Sequence, residues 1–275
     1  MKDGIKELVS WSYIAYRNSR GINAFSKENE NRVDAIFEIY GKHINSFEYS
    51  KIISSFRRKY VYNKNILVSG HDLKEIVGLM KMYNYIFLNI ELKDISVYTI
   101  LRLHQILYSM VPYPEFGGKV RNQEVCSFGA GMNISSYSNI PANMKKLYIP
   151  VKELIIKGKD LATKIGNLVG PAEIREFIDD CVDLNCKLIQ IYPFTDGNGR
   201  TIRMFTNLLF KIAHIPPVYI ENGERKEYYH AMNCAINNGD YSVIHRFYYY
   251  KVCDSFYENY LLVRSTNTNT NTNTN

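Results

Sequence analysis

Hydrophobic positions along this chain recur at the three- and four-residue spacing of helices, and one stretch breaks that rhythm. Ile5, Leu8, Val9, Tyr13 and Ile14 mark an amphipathic leader helix over Ile5 to Tyr16, ending near Gly21. Ser26 can cap a second helix that reaches about His43. Glu28 and Glu30 stand in its first turns, where acids suit the helix dipole, and Val33, Ile36, Phe37 and Tyr40 form its inward face. Leu73, Ile76, Val77, Met80 and Phe87 predict a helix from Asp72 to about Ile90. Ser96 caps the next, which carries Val97, Ile100, Leu101, His104 and Leu107 on one face. There His104 reads as a core histidine bonded to a neighbour rather than as a catalytic base.

Pro112 to Gly118 ends the helical pattern, and Lys119 to Ser127 then reads as extended, the one plausible hairpin. Met132 to Ser138 reads as coil, followed by a helix from Met144 to Lys157. Two strongly apolar helices come next. Glu173 to Ile191 carries Ile174, Phe177, Ile178, Cys181, Val182, Cys186 and Ile189; Thr201 to about Ala213 carries Ile202, Phe205, Leu208 and Leu209, and stops before Pro216-Pro217. Segments 227–232 and 241–247 read as closing helices. Thr266 to Asn275 is a run of Thr-Asn repeats expected to be disordered.

Composition changes this picture little. With 275 residues and 46% hydrophobic content the chain can bury the core of one large domain. The amino-terminal segment lacks the apolar centre of a signal peptide, and no run reaches the roughly 18 apolar residues of a membrane span, so a soluble cytoplasmic protein is expected. Five cysteines without Cys-x-x-Cys spacing read as reduced core thiols. The net charge of +7 is densest at Arg57-Arg58-Lys59, but the remaining basic residues are scattered and the aromatics fall at core spacings. A solvated basic surface is favoured over a nucleic-acid platform.

The chemistry concentrates between the two apolar helices, in Ile191 to Arg203. Gly197 and Gly199 can turn the backbone with positive φ, and a helix starting near Arg200 would converge several free N–H groups on one point. Such a terminus binds phosphate, and Arg200 and Arg203, three apart, add two guanidinium forks. Asp196 would repel phosphate unless a divalent cation such as Mg²⁺ lies between them. The loop reads as a metal-assisted cradle for a di- or triphosphate. It is neither a Walker A loop nor a dinucleotide fingerprint.

The same residues resemble the signature of the Fic (Fido) family, His-Pro-Phe-x-[Asp/Glu]-Gly-Asn-Gly-Arg-x-x-Arg. Every fixed position matches but one, where Tyr192 stands in place of the histidine. The resemblance implies a mainly α fold, a Fic-type helical bundle with a small β-hairpin flap. It divides the chain into an amino-terminal helical segment (1–70) with an inhibitory helix (26–43), a Fic core (71–255) and an extension (256–275). It also implies transfer of AMP from ATP to a protein hydroxyl. Gly197, Asn198, Gly199, Arg200 and Arg203 would hold the nucleotide, Asp196 the Mg²⁺, and Tyr192 and Arg200 would occupy the catalytic positions. Lys119, Val120 and Arg121 would form a flap that pairs with a target protein. Ser26 to Asn31 resembles the family's autoinhibitory motif, in which Glu30 would take the Arg203 fork and repel the ATP γ-phosphate. Tyr228 and Tyr229 can border an adenine pocket, although core packing explains them equally.

Tyr192 decides how much activity to expect. A phenol with a pKa of about 10 is neutral at pH 7 and a poor proton acceptor. Losing a positioned base lowers rate by about 10²–10⁴-fold, while charge neutralisation at the phosphates survives. His214 lies too far along its helix to substitute, and spacing does not place His230 or His245. Three readings follow: a weakened, Glu30-restrained AMP transferase; a degenerate ATP–Mg²⁺-binding regulatory module; or a protein that removes AMP or uses another phosphate-linked donor.

Overall fold

A computed structural model describes residues 27–62, 73–126, 131–167 and 169–261. Among them are ten α-helices and no β-strand. The two apolar helices form the centre: α7 (Pro171–Ile191) and α8 (Asn198–Ile212) pack against each other across the loop that joins them. Around them lie α1 (Lys27–His43), α3 (Leu73–Asn84), α4 (Thr99–Tyr108), α5 (Ile140–Lys146), α6 (Tyr148–Lys164), α9 (Arg225–Asn238) and α10 (Ser242–Phe256), each touching one or both.

Pro171 near the start of α7 supplies a preset φ, and Glu173 in the first turn meets the positive end of the dipole. α8 is buried almost all round, because α4 and α6 cover the sides that α7 leaves. Two of its buried polar residues, Thr206 and Asn207, are paired inside the core. Thr206 donates to the Ile202 carbonyl at 3.1 Å and accepts from Asn185 Nδ2 of α7 at 2.8 Å. Asn207 grips the backbone of Val218 at both ends of its amide, each at 2.8 Å, which fixes the path of the chain after the helix. Truncating the fully buried Phe205 to alanine would cost about 3–5 kcal/mol.

α1 buries Val33, Ile36, Phe37 and Tyr40, the face its periodicity predicts, against α7 and α10. Arg175 of α7 locks it there. Its Nε donates to Asp34 Oδ1 at 2.6 Å and its Nη2 to the Glu30 carbonyl at 3.0 Å, while the guanidinium covers the Tyr249 ring.

Several expectations need correction. The 72–90 helix is α-helical only to Asn84 and ends as a π-helical turn, Tyr85–Asn89. The helix expected over 144–157 is two helices that break at Leu147, the first begun early by Ile140-Pro141. A helix the periodicity reading passed over, α2 (Ser46–Tyr62), buries Tyr49, Ile52 and Phe56 and carries the 57–59 basic run. The expected hairpin is absent among the described residues: Lys119 to Cys126 is a single irregular segment tied to the 192–197 loop. Of the five free thiols, Cys126 is exposed and only Cys181, Cys186 and Cys253 are in the core. The leader helix, Ser26, Ser127 and the Thr-Asn tail lie outside the described residues. No helix of those described is long and apolar enough to cross a membrane.

Candidate active site

The loop begins where α7 ends. Tyr192 caps that helix in the left-handed region (φ 50°, ψ 62°), an unusual place for a residue with a side chain. Neighbours hold it there. Arg121 donates from Nε to the Tyr192 carbonyl at 2.8 Å and from its backbone N–H to the Pro193 carbonyl at 2.9 Å. Asn198 clasps Phe194, its Oδ1 accepting from the backbone N–H at 2.9 Å and its Nδ2 donating to the carbonyl at 2.7 Å. Phe194 is fully buried and stacks on the His104 ring at 3.8 Å.

α8 then starts at Asn198, two residues earlier than the spacing suggested, behind Gly197 at φ 75°. Of the two loop glycines only Gly197 uses positive φ. Gly199 sits in the helix itself and is small for another reason: a Cβ there would stand 2.9 Å from Arg203 Nη1. The N-cap residue is Gly197, so no N-cap side chain closes this helix start.

The charged residues meet at one end of the loop. Arg200 is buried and donates from Nη2 to Asp196 Oδ2 at 3.1 Å; the Asp196 side chain is 68% exposed. The Tyr108 hydroxyl donates to the same oxygen at 2.9 Å. Burial pushes the Asp196 pKa up, but Arg200, the Gly197 N–H and Tyr108 outweigh it, so the carboxyl is held below its ordinary range. Arg203, half-buried one turn further on, lies over the Tyr228 ring with 5.7 Å between guanidinium and centroid. Tyr228 in turn touches Tyr229.

Tyr192 is no better a base here than in water. Burial, then the charge of Asp196 and the neighbouring Tyr229, raise its pKa against the opposing pull of Asn198 and Arg121. It stays a neutral phenol.

His104 is structural, as its place on an apolar face predicts. Nδ1 accepts the Gly118 N–H at 2.9 Å, which leaves the proton on Nε2 to be donated to the Asp196 carbonyl at 3.0 Å. Burial drops its pKa to about 4, so the ring is neutral. Two other histidines are engaged elsewhere. His214 stacks on Tyr49, and His245 is held by Asp183 and Asp179 of α7.

Beside the loop opens a cleft of about 480 Å³ lined by Tyr108, Tyr113 and Phe116, by Lys119 to Gln123, and by Thr195 and Asp196 of the loop. Lys119 and Val120 are exposed on its rim. Arg121, expected to face a target, turns inward instead: it is 4% exposed, and its guanidinium also donates to the carbonyls of Gln123 (2.9 Å) and Ser135 (2.5 Å). Glu30 is half-buried on α1, positioned through its backbone by Arg175.

Two residues that spacing did not reveal take part: Tyr108, four residues beyond His104 on the same face, and Gly118. A sequence model of the Fic/DOC family matches residues 94–210, which contain all of this loop and both walls of the cleft. The chain carries a Fic/DOC domain.

Curated relatives agree with that Fic assignment. The protein adenylyltransferase Fic of Nematostella vectensis is 28% identical over 221 residues, 78% of this chain and 47% of that protein. The Drosophila melanogaster protein of the same name is 30% identical over 174 residues, 63% of this chain and 31% of its own length. The chain thus spans less than half the length of these relatives. Among solved structures, residues 134–508 of Fic-1 from C. elegans share the fold, with a TM-score of 0.54 at 20% identity over 97% of this chain and 74% of that one.

Among the described residues no group of three or more His, Cys, Asp or Glu side chains could hold a metal alone. Asp196 is a single ionised, exposed carboxylate, a donor set that suits Mg²⁺ only where substrate phosphate oxygens complete the shell.

Proposed function

We propose that this domain binds ATP with Mg²⁺ and transfers AMP slowly to a protein hydroxyl, without a general base. The observation that carries the reading is the convergence of four features on one braced turn. These are the α8 start with no side-chain cap, the ionised Asp196, the buried Arg200 and the Arg203 fork. Asp196 would hold the cation together with phosphate oxygens, and Arg203 with the first N–H groups of α8 would take the polyphosphate. Bound Mg²⁺ would neutralise phosphate charge. The acceptor oxygen attacks the α-phosphorus, the bond to the β-phosphate oxygen breaks, and pyrophosphate leaves. Tyr192 keeps its own proton, so the proton of the acceptor passes to water; this is the slow feature of the site.

Two further parts of the reading concern the cleft rim and α1. Lys119 and Val120, exposed on the cleft rim, would meet the target segment, while Arg121 braces them from behind. Glu30 on α1 would compete with nucleotide for Arg203. A second reading, binding without transfer, is favoured by the raised Tyr192 pKa. Incubation with α-labelled ATP and Mg²⁺ separates them. Label on protein in wild type or Glu30→Gly supports the transferase, and label only in Tyr192→His supports the binding module. No retention of nucleotide by any of the three removes both.

A further inference from the structure

We propose that Tyr108 is a positioning residue for Asp196 that sets which divalent cation the loop accepts, an inference that rests on the nucleotide reading above. α4 grips this aspartate twice. His104 bonds its carbonyl at 3.0 Å, and four residues on, the Tyr108 hydroxyl donates to Oδ2 at 2.9 Å. The tyrosine itself is wedged in place: it is 3% exposed, its ring lies 4.6 Å from that of His104, and a Cβ on Gly197 would meet its Cε2 at 2.9 Å.

Arg200 Nη2 reaches the same Oδ2 at 3.1 Å. A carboxylate oxygen has two lone pairs, and these two donors use both. A cation is then offered the other oxygen alone. Ligation through one oxygen suits Mg²⁺, which is small, octahedral and keeps waters beside the phosphates. Ca²⁺ takes more ligands and gains from a carboxylate that binds through both oxygens. Tyr108 therefore works against Ca²⁺ by keeping Oδ2 occupied.

Tyr108→Phe keeps the ring and its packing and removes only the donor. ATP is titrated into wild type and Tyr108→Phe with Mg²⁺ and, separately, with Ca²⁺, alongside thermal melts. The expected result is an Mg²⁺-to-Ca²⁺ affinity ratio at least fivefold lower in the variant, with the melting temperature within a few degrees. A ratio that stays the same, including one where both affinities fall equally, reduces Tyr108 to a packing residue and overturns the proposal while leaving the nucleotide reading intact. Failure of wild type to bind ATP with either cation overturns both together.

Discussion

The guanidinium of Arg203 lies over Gly199, so close that a Cβ on the glycine would stand 2.9 Å from Nη1. The glycine is thus a space left for the arginine rather than a turn residue. Gly199→Ala should show two effects of opposite sign. Alanine suits a helix better than glycine by about 1 kcal/mol, and the atom it crowds is the far end of a flexible side chain, so melting temperature should hold or rise. Arg203, pushed off its position, should weaken ATP binding about tenfold. Melting and titration of the same sample check both; a loss of stability with unchanged affinity would contradict this role.

Arg121 belongs to the scaffold of the loop. Arg121→Ala strands the carbonyls of Tyr192, Gln123 and Ser135, and should destabilise the fold by about 2–4 kcal/mol. Arg121→Lys should recover little, because one ammonium cannot span the three directions of the fork. Chemical denaturation measures this. A residue that served only to contact a target would leave the midpoint where it was.

His104 gives the fold a pH dependence with a definite sign. Its folded pKa, about 4, lies below the ordinary value of about 6.5, so the unfolded chain takes up a proton that the folded one refuses. Stability contributed by the neutral ring is whole at pH 7 and is lost as pH falls through that window, by up to about 3 kcal/mol near pH 4. Unfolding curves at pH 7, 5.5 and 4.5 should follow this slope in wild type, and the slope should flatten in His104→Gln. Equal slopes in the two proteins would assign the acid sensitivity to other groups.

The helical frame was legible wherever one face repeats, because α1, α7 and α8 are built on the spacing of their own apolar residues. α2 carries Tyr49, Ile52 and Phe56 at the same spacing and was equally legible on that ground. The charged residues of the candidate site could be listed from the loop, since Asp196 and Arg200 are only four residues apart in the chain. What the chain could not reveal is direction. Arg121 looks like a surface flap residue until Tyr192, Gln123 and Ser135 are brought around it, and Tyr108 carries no mark of a carboxylate 88 residues away. Nothing local in the chain says that Arg203 folds back over Gly199.

One titration reaches the centre of the account, that this loop grips a polyphosphate through Arg203 and the start of α8. ATP with Mg²⁺ is added to wild type and to Arg203→Ala, and heat is recorded. Saturable binding in wild type with a loss of tenfold or more in the variant is the predicted result. No binding in wild type, or equal binding in both, would contradict it.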